Sequence, residues 1–237
     1  MSRKDHYDGF GNYDGYGDSR TVNLYNELST KHYNLMIGGI LFYGFIVNAI
    51  IVKLFASSLA ELPFAPVIIG YFISCIVGII MSKVSDNPIV SFIGYNLVVV
   101  PVGVVLAIAI HVDGFEPAQI IHAAALTAFF TGVMIVASVI WEDFFLSLGK
   151  ILFIGLLAVV IFEVMCLICG IYLPTIWDIL VAVLFCFYIG YDWAKAQKED
   201  HTADNAVDAC VGLYLDIINL FIRILSASSG SKSKSRK

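Results

Sequence analysis

Seven apolar runs, each close to the length that crosses a bilayer, follow one another from residue 33 to residue 226. They span 33–56, 64–82, 88–111, 117–141, 148–170, 174–193 and 204–226. A hydrocarbon core about 30 Å thick is crossed by roughly 20 apolar residues in an α-helix. Lipid offers no partner for a free N–H or C=O, so each run must close its own backbone hydrogen bonds as a helix. The ten-residue alternation of a membrane barrel is absent. Hydrophobic residues make up 59% of the 237, and charged residues 14%, against about 25% in soluble domains. A soluble fold of this size could not hide that much apolar surface. The sequence therefore predicts an all-α, polytopic membrane protein, a seven-transmembrane-helix bundle whose solvent is the lipid bilayer.

Prolines punctuate the pattern. Pro66, Pro88, Pro117 and Pro174 sit near run entrances, where a missing N–H costs little. Pro101 lies mid-run in VVVPVGVV and predicts a kink. The links are short, which predicts antiparallel neighbours in a single membrane domain over 33–226. Residues 1–32, with YDGFGNYDGYGD at 7–18, are too glycine-rich and aliphatic-poor to pack and read as a disordered tail. Residues 227–237 read as a basic tail. The first thirty residues are polar and carry no cleavable signal, which leaves insertion to an internal span. Gly70, Ser74 and Gly78 recur at four-residue spacing and predict a face for close helix approach.

The net charge of −5 is spread over tails and loops, with no extended basic stripe. That points away from nucleic acid as a partner. With the N-terminus inside, Lys31, Lys83, Lys150, Lys195 and Lys198 fall on the inner side and Lys53 on the outer. Seven crossings would then place the basic tail outside, against the same rule. Five cysteines lie in or beside apolar runs, and CLIC at 166–169 has no second pair, so all five read as packing residues. His111 and His201 read as segment ends and His122 as a packing or interface residue.

Ionisable residues inside membrane runs are functional candidates, because a central aspartate costs at least about 2.5–3.5 kcal/mol. Glu163, Asp192 and Asp216 qualify. Asp216, Asn219 and Arg223 share one face, where Asn219 can hydrogen-bond the carboxylate and Arg223, two turns on, is expected to snorkel to the surface. Asp192 ends the sixth run, with Tyr188 a turn before it and Lys195 three residues after. It reads either as a helix-end acid paired with Lys195 or as the partner of Asp216. Two carboxyls meeting in low dielectric would share a proton, and its loss would set like charges against each other. Glu163 reads as a protonated structural acid or as a lining of the same path.

GLYLDIINLFIRIL at 212–225 and YIGYDWAKAQ at 188–197 resemble the last two membrane helices of the Bax inhibitor family, the transmembrane Bax-inhibitor-motif proteins. The resemblance implies seven helices with the last one central, and a pH-sensitive calcium leak. It implies that Asp192 and Asp216 form a hydrogen-bonded sensor and gate. From the reading of the residues themselves, Tyr188, Glu163, Asn219 and Lys83 are candidate supports, and the two aspartates are expected to meet calcium weakly and transiently. Some members hold one of these acids with an arginine on the second helix. Here no arginine lies between Arg20 and Arg223, and Lys83 is the nearby base, lacking a guanidinium's bidentate fork.

Calcium takes six to eight oxygens, so two or three carboxylates predict weak, water-assisted contact of the kind that suits a conduit. No cofactor is expected beyond the permeant ion, and no enzymatic activity. A cation/proton exchanger or ion-coupled transporter is the alternative, although no pair of broken helices marks an inverted repeat. An intramembrane aspartyl protease would share the Tyr-Asp pair, but its second Gly-x-Gly-Asp site reads LYLD here. A structural protein acting through membrane partners is the remaining class. The absence of an organelle-targeting motif points to a bacterial cell membrane.

Overall fold

The computed structural model describes residues 27–233, so the Tyr-Asp-Gly stretch, most of the 1–32 tail and the last four residues lie outside the description. Among the described residues there are eight helices and no strand: α1 (Thr30–Leu59), α2 (Phe64–Val84), α3 (Pro88–Val112), α4 (Pro117–Ile140), α5 (Glu142–Ser147), α6 (Gly149–Cys169), α7 (Thr175–Lys198) and α8 (Ala203–Ser233). All but α5 are long and apolar enough to cross a membrane. The chain is an all-α polytopic membrane protein.

Local chemistry sets the helix ends. Asn87 Oδ1 accepts from Ile89 N at 2.9 Å while Pro88 opens α3 without an N–H to lose. Before α4 a capping box joins Glu116 and Gln119, whose Oε1 accepts from Glu116 N at 3.0 Å. Gly170, at φ 65°, closes α6 in the left-handed conformation, and Ile171 N returns to Cys166 O at 2.8 Å. Helix α3 runs unbroken through Pro101. The sequence did not foretell α5: the chain breaks at Trp141 (φ −120°, ψ 51°), and the EDFFLS stretch between the fourth and fifth runs coils into a separate short helix.

The last helix is the hub. It packs against α1, α2, α3, α4 and α7. Half of its apolar window is buried, against 11% of α6, which packs only on α5 and α7. Helices α2 and α3 approach closely at two glycines. A Cβ on Gly78 would stand 2.5 Å from Gly94 O, and one on Gly94 would stand 2.6 Å from Gly78 O. Ser74 Oγ donates to Leu97 O at 2.7 Å across the same seam. Gly70, the third member of the predicted face, meets nothing within 4 Å. The outward faces carry Phe42, Ile69, Phe153 and Leu167 to the bilayer.

The turn between α7 and α8 is docked on α1. Leu28 N donates to His201 O at 2.6 Å, the His201 ring stacks on Tyr33 at 4.3 Å, and Tyr33 OH donates to Ala196 O at 3.2 Å. His201 is thus a segment-end residue as read, and His122 lies exposed on α4.

Candidate functional site

Asp192 sits six residues before the end of α7, and Asp216 thirteen residues into α8. At 1.5 Å per residue these depths differ by about 10 Å. Helix geometry closes most of that gap. Side chains lean toward the N-terminus of their own helix, and α7 and α8 are antiparallel neighbours. Asp192 therefore leans toward the bundle middle and Asp216 back toward the α7–α8 turn. Gly212 completes the approach: its bare Cα leaves room for the Asp192 carboxyl, and a Cβ there would collide with Asp192 Oδ2. The two carboxyls come within hydrogen-bonding reach of each other. Asp216 is 7% exposed, and its Oδ2 has no donor among the described residues.

Tyr188 lies within electrostatic reach of both carboxyls. Beside the pair, a cavity of about 110 Å³ is bounded by Lys83, Asp192, Lys195, Glu199, Asp208 and Gly212. Lys83 Nζ stands 3.9 Å from Asp208 Oδ2 and, with Lys195, within electrostatic reach of Asp192. Lys83 thus faces two acids at the cavity mouth, with its side chain half exposed.

Two expected supports stand elsewhere. Asn219 Nδ2 donates to Leu215 O at 2.7 Å and not to Asp216. Its amide is taken up by a backbone carbonyl one turn back on its own helix. Glu163 is engaged by Arg223 and Trp177, away from the Asp192–Asp216 pair. Arg223 Nη2 stands 2.7 Å from Glu163 Oε1, Arg223 Nη1 stands 3.2 Å from Asp178 Oδ1, and Trp177 Nε1 donates to Glu163 Oε1 at 2.8 Å. Arg223 is likewise not left to snorkel: it bridges from α8 to α6, a helix that α8 does not pack against.

Sequence reasoning passed over Asp204 and Asp208, each 9% exposed at the start of α8. Ser91 Oγ donates to Asp204 Oδ1 at 2.7 Å, and Ser82 Oγ donates to Asp208 Oδ1. Asp204, Asp208, Gly212 and Asp216 recur every four residues, so one face of α8 carries acids from the turn to the buried pair. That spacing was the available signal; the polar HTADNAVDAC context disguised it as a surface link. Among the described residues no group of three or more His, Cys, Asp or Glu side chains gathers as a metal site.

The family model described as "Inhibitor of apoptosis-promoting Bax1" matches residues 25–233. An uncharacterized protein of Helicobacter pylori is 33% identical over 108 residues, covering 44% of this chain and 45% of its own length. Protein LIFEGUARD 3 of Arabidopsis thaliana is 49% identical over 51 residues, covering 22% of this chain and 20% of its own. Protein LIFEGUARD 4 of the same plant is 36% identical over 85 residues, covering 33% and 32%. The chain spans less than half the length of these curated relatives in each match, and no solved structure matches it significantly. A match that runs from the start of the described residues to their end, over the whole seven-span bundle, makes this chain a member of the Bax inhibitor family, Bax1-I.

Proposed function

We propose that the chain is a pH-sensitive calcium leak channel of a bacterial cell membrane, gated by the Asp192–Asp216 pair. One observation carries the reading: two carboxyls from adjacent helices meet in the bundle interior, beside a charged cavity, with no donor on the inner one. While one proton is shared, the pair is a hydrogen bond that holds α7 against α8. When it leaves, two like charges face each other in low dielectric and drive the helices apart. Calcium meets the separated carboxylates and Asp208 with most of its water retained, since so few protein oxygens cannot complete its shell. Bacterial relatives support the membrane assigned. No chemistry is catalysed in this reading.

Reconstitution in liposomes holding a calcium dye tests it. Passive flux rises from pH 6 to pH 8 in the wild type, and Asp216→Asn flattens the rise because a neutral amide keeps the hydrogen bond at every pH. Flux that falls with pH, or is unchanged by Asp192→Asn and Asp216→Asn, rejects the gate. The acid series along α8 favours one second reading, a cation/proton exchanger. There calcium movement requires an opposing proton gradient, whereas a leak runs without one.

A further inference from the structure

Helix α7 can move away from α8 only if the space behind it is free. At about 100° per residue, Phe187, Gly190 and Lys198 fall within roughly 60° of the point opposite Asp192 on the α7 wheel. All three are met by the short helix α5. The Phe145 ring lies so close to Gly190 that a Cβ there would collide with it. The same ring meets that of Phe187 at a centroid distance of 6.3 Å, and Glu142 forms an ion pair with Lys198. Phe145 is 3% exposed, so its side chain fills the space behind α7 within one turn of Asp192.

Helix α5 does not pack on α8 itself. It is tied to the hub through α4, which packs against both α7 and α8. The chain stays hydrogen-bonded through the break at Trp141: Trp141 N donates to Ala137 O at 2.9 Å, and Phe145 N donates to Trp141 O at 3.2 Å. Helix α7 is therefore held between the hub on one side and α5 on the other, at the end of the bundle where the carboxyl pair sits. The Lys198–Glu142 pair is largely exposed and contributes little, which leaves the close apolar contact of Phe145 to hold this side.

We propose that Phe145 is a positioning residue for the carboxyl pair: it backs α7 against α8 and so sets the pH at which the pair comes apart. The proposal rests on the gate described above. Repulsion between the two carboxylates must also dislodge Phe145 from its seat on Gly190. The closed state is the one that shares a proton, so whatever weakens that state moves opening to lower pH. A closed state weakened about ten-fold moves the midpoint down by about one pH unit. Asp192 is faced by Asp216, Lys83, Lys195, Glu199 and Tyr188, and Asp208 borders the same cavity. Phe145 is apolar, so its replacement leaves each of those charges in place, and a displaced midpoint reports packing.

Calcium flux into dye-loaded liposomes, recorded in steps from pH 5 to pH 8 with the full chain, tests this. Phe145→Ala is expected to lower the midpoint by about one pH unit. Phe145→Leu keeps most of the apolar volume, so it folds, and lowers the midpoint by less in the same direction. Gly190→Ala added to Phe145→Ala places a methyl in the vacated space and recovers part of the shift. Asp216→Asn, measured alongside, separates the two ideas. If it flattens the profile while Phe145→Leu and Phe145→Ala keep the wild-type midpoint, or raise it, the backing role is overturned and the gate stands. If Asp216→Asn leaves the profile unchanged, the gate falls and the backing role with it.

Discussion

Gly212 decides whether the two buried acids can meet. Asp192 Oδ2 rests where its Cβ would be, so the smallest side chain pushes the carboxyl away. Gly212→Ala leaves α8 helical and adds about 0.5–1 kcal/mol of helix propensity, but it turns Asp192 toward the cavity shared with Lys83 and Asp208. Thermal unfolding in detergent is expected to change little, while the rise of calcium flux between pH 6 and pH 8 flattens. A wild-type pH profile in Gly212→Ala would mean that contact between the carboxyls is not what senses pH. At this scale the sequence was half legible. A charged residue in an apolar run announces itself by its cost, which is how Asp192, Asp216 and Glu163 stood out. What each one touches depends on the neighbouring helix. Asn219 turned to its own backbone, and Glu163 was claimed by Arg223 across a gap that spacing along the chain does not encode.

Between elements, the same lesson separates two glycines of one motif. Gly70, Ser74 and Gly78 look alike in sequence, and small residues at four-residue spacing predict a packing face without saying how far it extends. Helices α2 and α3 cross near Gly78 and Gly94, so Gly78 touches backbone while Gly70 faces open space. Gly78→Ala must push a backbone carbonyl aside, and a loss of about 1–3 kcal/mol is expected from overpacking. Gly70→Ala, chemically the same change, is expected to be neutral or to stabilise by up to about 1 kcal/mol. Denaturation of the two variants in one detergent checks the contrast, and equal behaviour would remove the α2–α3 seam from the account. Helix ends and numbers were legible because lipid leaves the backbone one solution and because Pro88, Pro117 and Gly170 mark where it starts and stops. The short α5 was not, since six residues between two long apolar runs carry too little periodicity to register.

For the molecule as a whole, the central position of α8 follows from its polarity. Seven similar helices would have no reason to choose a centre, but one bearing Asp204, Asp208, Asp216 and Arg223 cannot face lipid and is therefore enclosed by the others. The α7–α8 turn is pinned to the start of α1 through Tyr33 and His201. Lys83, Lys195 and Lys198 gather at that end, and Lys150 at the start of α6 joins them after two further crossings. The positive-inside rule assigns this end to the cytoplasm. The opposite end then carries the α6–α7 turn, with Cys169 exposed as the last residue of α6. Cys75, Cys166 and Cys210 are buried and Cys186 is half-buried, so the wild-type chain supplies its own topological reporter. In right-side-out membrane vesicles a membrane-impermeant maleimide is expected to label one thiol, Cys169, and pre-blocking from the outside should abolish later labelling of that residue after lysis. Protection of Cys169 until the vesicles are opened would invert the bundle. The Asp204–Asp208 face would then lie at the outer end of the bundle, and the cavity beside Asp192 with it.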